Sequence, residues 1–411
     1  MRLFLWLGAI STLAAGLLGK PDPQAGSWVI VVAGNTQGYL SPCGCTKPMH
    51  GGIRRRVSAT KSATTNQSGR LPSLIIETGS LTKGRERQDE LKLDALGDAL
   101  GEAKADVVAL APDDLELGSA RLSAFQRLSK AVLLTGSFSG DPLPVQNQFA
   151  KGPFVVGSEL GDDYWPIERA SRYAAQLCDS GQAILITHGG LDRARALAKA
   201  EPRLLGVVYR TSGQVALAPT LEGSTWLVSP GVEGKAALRF EFNGRRLENY
   251  SVLDLGPDVK DDPQAATLYR RYLDRVRAER LLERVPKTSD VAFVGNKQCG
   301  SCHEKEYAIW KSSKHAEALA TLESDGHDAD PDCVGCHVVG LSSSKGFVAR
   351  ERTPELANVG CESCHGGGAE HASRPAERPM PKVGEKSCSP CHNLAHSPTF
   401  EYKTYWKKIA H

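Results

Sequence analysis

The sequence predicts two units of different build, an α/β body over residues 20–256 and a mostly helical and loop tail over 291–411, joined by a connector helix within 257–290. Three observations predict this. Short β-branched runs alternate with helix-compatible stretches from Trp28 to Gly256, a lone helical pattern follows Asp262, and beyond Asp290 the composition turns to Cys, His, Gly and Ser with few aliphatics. The chain has 411 residues, 41% hydrophobic and 24% charged, with a net charge of +3. That balance offers no basic excess to hold nucleic acid and no charge block that would favour disorder.

Residues 1–19 read as a secretory signal peptide. Met1-Arg2 is a minimal basic start, Leu3 to Leu18 is mostly apolar, and Ala14, Ala15 and Gly16 offer a cleavage site. The alternative is an uncleaved anchor, the only way the sequence would tie the chain to a membrane. No other apolar run approaches the roughly 20 residues a spanning helix needs. Either way the body is expected outside the cytoplasm, periplasmic or otherwise exported.

In the body, WVIVVAG from Trp28, SLIIETGS from Ser73, VVALAP from Val107, AVLLTGS from Ala131, FVVGSE from Phe154, AILITHGG from Ala183 and LLGVVYR from Leu204 read as strands buried on both faces. TWLVSPG, AALRFEFNG and ENYSVLDLG read as closing, more antiparallel strands. Asp262-Pro263 then supplies a cap and a first-turn proline, and Leu268, Tyr272 and Val276 predict a helix that Pro286 stops.

The tail is too poor in aliphatics to build a core unaided. It holds eight of the eleven cysteines, arranged as CGSCH (Cys299, Cys302, His303), CVGCH (Cys333, Cys336, His337), CESCH (Cys361, Cys364, His365) and CSPCH (Cys388, Cys391, His392). Cysteines at i and i+3 share one face of a helical turn, so both thiols can bond the two vinyl groups of one haem while the next residue offers its imidazole to the iron. A chance CxxCH is expected about 0.01 times in such a chain, so four are not accidental. Zinc ribbons and disulfides would not need a histidine after each pair. Four covalent c-type haems are therefore expected, and their apolar discs supply the missing core.

Five further tail histidines, His315, His327, His371, His396 and His411, face one tail methionine, Met380, so two-histidine ligation is the expected default. Some 18 Å of helix would separate His315 from His303, so His315 is expected to cap a neighbouring haem. His371, after Gly366-Gly367-Gly368, and the terminal His411 are the other candidate distal ligands. His327, among four aspartates, and His396 read as solvated loop residues.

CGSCH with Trp310, Ser313 and His315, then VGCESCHGGGAEH and the closing WxxIxH, resemble the multihaem cytochrome family typified by the tetrahaem electron acceptor of hydroxylamine oxidoreductase. The resemblance implies that His315 ligates a haem other than its own and that one haem can be five-coordinate. No histidine stands between Val338 and Gly360, where a member of that family can place a distal ligand, which leaves the ligand of the first haem open.

The stretch Gly34 to Arg56 is similar to the opening of calcineurin-like metallophosphoesterases and 5'-nucleotidases, so the whole fold class is expected to be an α/β metallophosphoesterase-like sandwich followed by a tetrahaem cytochrome c domain. Asn35 and Gln37 replace that family's Asp-x-His, Glu77 to Ser80 replaces its Gly-Asp, and His188 is the one matching metal-type residue. The resemblance carries the fold and not the hydrolase activity. Cys43 and Cys45, near His50, are a candidate redox pair, with a soft metal site or two idle loop cysteines as alternatives. Cys178 reads as a core thiol.

The functional expectation is an exported electron carrier passing single electrons between a redox donor and an acceptor. The alternative is a haem enzyme acting on a small nitrogen or oxygen species at a five-coordinate haem. The body is expected to serve as a docking or redox-accessory domain.

Overall fold

The computed structural model describes residues 26–42, 48–136, 143–213, 215–393, 396–397 and 399–411. The signal segment and the Cys43, Cys45 pair lie outside them.

In the body the strands are β1 (Ser27–Ala33), β2 (Thr65–Asn66), β3 (Gly69–Arg70), β4 (Ser73–Glu77), β5 (Val107–Ala109), β6 (Val132–Leu134), β7 (Gln148–Lys151), β8 (Phe154–Glu159), β9 (Gln182–Thr187), β10 (Gly206–Val208), β11 (Leu217–Glu222), β12 (Thr225–Ser229), β13 (Ala236–Asn243) and β14 (Arg246–Asp254). Apart from the small β2-β3 hairpin they form two six-stranded sheets, ordered β14-β13-β1-β4-β5-β6 and β11-β12-β10-β9-β8-β7. Each sheet has a parallel centre, β1 to β6 in one and β12 to β8 in the other, with antiparallel strands outside it.

The period-two alternation of the strands explains the layering. Ile30, Val32, Leu74 and Ile76 of the first sheet meet Val156, Ile184, Ile186 and Val228 of the second in a shared core. Their neighbours Val29, Val31 and Ile75 point the other way, into the helices α1 (Ile53–Ala63), α2 (Arg87–Ala103) and α4 (Gly118–Ser129), with the one-turn α3 (Pro112–Leu115) between the last two. Val155, Ala183 and Leu185 likewise pack under α5 (Ile167–Ser180) and α6 (Leu191–Ala200). The body is thus a helix/sheet/sheet/helix sandwich, and buried apolar surface on both faces of each sheet is what holds it.

The connector is α7 (Pro263–Ala278), whose Asp262 side chain caps Gln264 N and Ala265 N. It ends at Ala278, earlier than the Pro286 that the sequence suggested, and its inner stripe is Ala265, Tyr269, Tyr272, Leu273 and Val276, with Leu268 only half-buried. This face packs on α1 and α2, so α7 is part of the body's outer layer, and its Tyr269 and Tyr272 hydroxyls reach His327 and Asp330 of the tail.

The tail consists of short helices, α8 (Asn296–Gly300), α9 (Glu304–Lys311), α10 (Ala318–Asp325), α11 (Pro331–Val334), α12 (Cys361–His365), α13 (Ala369–Ser373), α14 (Glu385–Cys388) and α15 (Tyr402–Trp406). Their one small apolar cluster gathers Leu319, Val334, Val338, Val339, Leu341, Phe347 and Leu356. No helix among the described residues is long and apolar enough to cross a membrane.

Candidate haem-binding site

Each CxxCH lies on a helical turn, at the end of α8, α11 and α14 and along α12. The backbone N–H of the second cysteine bonds the carbonyl of the first in three motifs, Cys302 to Cys299, Cys336 to Cys333 and Cys391 to Cys388, while Cys361 to His365 is itself α12. The turn puts each cysteine pair on one side and swings the following imidazole beside it. All four sets line one cavity of about 2690 Å³. Single ligand pockets run to roughly 1,000 Å³, so this space is made for several groups.

Within it the imidazoles stand in pairs. The ring centres of His303 and His371 are 6.1 Å apart, those of His315 and His392 6.2 Å, and those of His365 and His411 5.9 Å. Two imidazoles bound to one metal through nitrogen bonds of about 2 Å would set their ring centres about 6 Å apart. The outer nitrogens agree. Nδ1 of His337 donates to the Ala318 carbonyl (2.6 Å), that of His365 to Pro381 O (3.2 Å), that of His371 to Arg378 O (2.8 Å) and that of His411 to Ile409 O (2.9 Å). A carbonyl only accepts, so each neutral ring keeps its lone pair on Nε2, and the backbone fixes both tautomer and ring orientation. Burial, with His392 and His337 nearby, lowers the pKa of His315 and favours its neutral, ligating form. These residues fit haem, with the cysteines as attachment points and the paired histidines as axial ligands.

The structure places an imidazole opposite the first motif, whose partner the sequence left open. The first motif's His303 has His371 across from it, whereas no histidine stands at that spacing from His337 of the second motif, and all eleven histidines are among the described residues. The physical reason is the Gly366 to Gly368 run, which folds α13 back so that His371 reaches the first motif instead of its own. His327 also departs from expectation. Its Nε2 and the buried Tyr269 hydroxyl of α7 are 2.7 Å apart, so it is a half-buried contact between tail and body. His396 is half-buried near Lys83 and faces no other imidazole.

Two residues inside the quoted motifs have a positioning role that the sequence did not reveal. Glu362, buried inside the third motif, accepts from the backbone N–H groups of Val294, Gly295 and Gly368 and so ties the first motif and the glycine run to the third. Trp310 Nε1 donates to Val359 O at 2.8 Å, holding α9 and the approach to His315 against the same motif. The motifs meet in a chain. Asn296 Oδ1 accepts from Cys361 N, the thiols of Cys299 and Cys361 are within hydrogen-bonding reach, Cys364 lies near Cys388, and the Cys336 and Cys391 thiols are hydrogen-bonded. The spatial order is therefore first, third, fourth, second.

On the body, the loop ends where the sandwich would hold metals are filled by other groups. Asn35 Nδ2 donates to Gly231 O (3.2 Å), Gln37 Nε2 donates to Asn35 Oδ1 (2.8 Å), and Arg56 pairs with buried Glu77 while donating to Thr36 Oγ1. Burial lowers the Arg56 guanidinium to about 10 and His188 to about 3, the latter also beside Arg210. The remaining crevice measures about 10 Å³, at the limit for one water. One imidazole and a carboxylate already held by a guanidinium do not fit a two-metal hydrolase centre. Of the other singled-out residues, His50 is bound through Nδ1 to Asp254 (2.8 Å), and Cys178 is half-buried with its thiol pushed up to about 11 by burial. Ser41, Pro42 and Met49, which flank the Cys43, Cys45 loop, line the haem cavity.

Fold and site together define a multihaem cytochrome c module carried on a phosphoesterase-like sandwich. The tail's kind follows from sequence. Residues 298–366 match the family described as cytochrome c554 and c-prime, and cytochrome c-554 of Nitrosomonas europaea is 32% identical over 145 residues, covering 27% of this chain and 62% of that protein. This chain thus spans less than two thirds of that relative's length. The body is similar in fold to a 5'-nucleotidase precursor from Thermus thermophilus (TM-score 0.52, 17% identity, 73% of this chain and 68% of the other) and to the NAD nucleotidase of Haemophilus influenzae (TM-score 0.50, 11% identity, 66% and 62%). The tail therefore resembles cytochrome c-554 and carries covalently bound c-type haem, and the body has the 5'-nucleotidase-like fold.

Proposed function

We propose that this protein is an exported cytochrome with four c-type haems that relays single electrons between a donor and an acceptor in the periplasm. The observation that carries the reading is the set of three imidazole pairs, each spaced for one iron, inside one cavity lined by all eight motif cysteines. A haem held by two imidazoles supplies reversible one-electron transfer and leaves no axial position for other chemistry. The residues do the rest. The first, third, fourth, second order of the motifs lays out a path from the exposed turn at Cys302 and His303 to the second motif, which rests on the body. Backbone carbonyls hold the ligand rings in one tautomer, which limits rearrangement when the charge changes.

The pyridine haemochrome assay with intact mass tests this reading. Four haems per chain are expected, and fewer than three would sink it.

A second reading, a haem enzyme, is favoured by one observation alone, that no imidazole of the chain faces His337. An open axial position is what binding of a small nitrogen or oxygen species requires.

A further inference from the structure

The second motif is the part of the tail seated on the body, and a hydrogen-bonded chain crosses the seat beside it. Asp330, which caps α11, accepts from Gln88 of α2 (2.6 Å) and from the Tyr272 hydroxyl of α7 (3.2 Å). One turn earlier on α7, Tyr269 is 4% exposed, with its ring stacked on that of Tyr272 at 5.8 Å between centres. Its hydroxyl oxygen is 2.7 Å from Nε2 of His327, and Ser41, half-exposed in the body loop after β1, hydrogen-bonds the same hydroxyl.

This chain lies against the second haem's attachment point. Two backbone bonds join His327 to the motif, Asp330 N donating to the His327 carbonyl (3.0 Å) and Cys333 N to the Asp330 carbonyl (3.0 Å). Tyr269 is within electrostatic range of the Cys333 sulfur, and Ser41, Tyr269 and His327 all line the haem cavity with Cys333, Cys336 and His337. Burial, and then Asp330, push the Tyr269 phenol far above its usual range, so it keeps its proton and donates it to Nε2 of a neutral His327. Burial likewise lowers the pKa of His327, while Asp330 and Asp325 raise it, Arg54 of α1 lowers it and Asp328 raises it. Asp328 is paired with Arg277 of α7 (2.6 Å), and Arg54 with Asp261 (2.9 Å). An electron added close to a neutral, half-buried imidazole brings one negative charge, which favours the imidazolium.

We propose that His327, supplied through Tyr269 and Ser41, takes up one proton from solvent when the second haem receives an electron, so that this step of the relay is proton-coupled. The redox donor supplies the electron. Ser41 gives its hydroxyl proton to Tyr269 as Tyr269 gives its own to His327 Nε2, and solvent restores Ser41. Every O–H is re-formed, and reoxidation returns the proton by the same route. The inference rests on the electron-relay reading, is independent of how many imidazoles hold the second iron, and gives α7 and the loop after β1 a task that the tail alone cannot perform.

Spectroelectrochemical titration of the purified haem-loaded protein from about pH 5 to about pH 9 tests it. One haem midpoint should fall as pH rises between the His327 pKa of the oxidised protein and that of the reduced protein. It should be level on either side, because only inside that window does reduction bind a proton. His327→Gln keeps a polar side chain without a titrating group and should make that midpoint level throughout. Tyr269→Phe removes the donor that favours the neutral ring, so the window should move up by about one pH unit, the scale of one hydrogen bond. Ser41→Ala should leave the window in place and slow the reduction of that haem several-fold. Midpoints level with pH in the wild type would overturn the proposal. So would a pH-dependent midpoint that His327→Gln and Tyr269→Phe both leave unchanged, which would assign the titration to a haem carboxylate, and an unchanged rate in Ser41→Ala would overturn the route. Haem content equal to wild type checks folding, and if His327→Gln loses haem, the shift in Tyr269→Phe decides. Failure of the relay reading shows separately, as a wild-type haem count below three.

Discussion

His303 and His371 show how much a single imidazole decides. They are 68 positions apart, yet their ring centres are 6.1 Å apart because α13 turns back after the glycine run. Replacing His371 by alanine should leave the thioether bonds and the haem count intact, because attachment belongs to Cys299 and Cys302, and should open one further iron. The expected outcome is a second high-spin haem and a carbon monoxide stoichiometry rising from one to two per chain. A stoichiometry that stays at one would show that His371 is not an axial ligand. The proximal histidines were legible because CxxCH is a local pattern that one helical turn reads out. Their partners were only half legible. The candidates His315, His371 and His411 could be named, but which motif each faces depends on contacts across tens of residues, and the ligand of the first haem, left open by the sequence, could not be read locally. His327 was misread for the same reason, since its partner Tyr269 lies 58 positions earlier and on the connector.

Among the elements, α7 and α11 carry the link between the two units. The cap at Asp262 and the proline after it were readable, and the stripe was read in part, because Tyr272 and Val276 are buried while Leu268 is not. The helix stops at Ala278 because Arg280 takes a left-handed backbone (φ 52°), which periodicity does not reveal. The edge strands β7 and β11 were missed, since QFAK and LAPTLE are half-exposed and lack the apolar run of a central strand. Asp330 is the polar centre of the α7/α11 contact. Asp330→Ala would remove the acceptor of Asp332 N and leave the Gln88 and Tyr272 donors without it. The expected loss is about 1 to 3 kcal/mol in the stability of the tail's seat on the body. Denaturant unfolding followed through haem absorbance would show the earlier transition. A midpoint unchanged from wild type would mean that the contact is held elsewhere.

Across the whole molecule, the alternating strands and the shift in composition after Asp290 made both units readable, because layers of sheet and helix follow from apolar periodicity and covalent cofactors follow from a four-fold motif. The way the units join was not readable. The seat of the second motif rests on Gln88, Lys92, Tyr269 and Tyr272, ordinary residues whose role exists only once α2 and α7 are side by side. The body keeps the loop ends of the 5'-nucleotidase-like fold, fills them with Arg56, Glu77 and Asn35, and turns its neighbouring loops to the tail. The central claim is that three irons are held by two imidazoles each while the fourth, at His337, has one. Spin counting by electron paramagnetic resonance on the oxidised protein tests it most directly. Three low-spin haems and one high-spin haem per chain are the predicted result, and four low-spin haems with no carbon monoxide binding after reduction would contradict it.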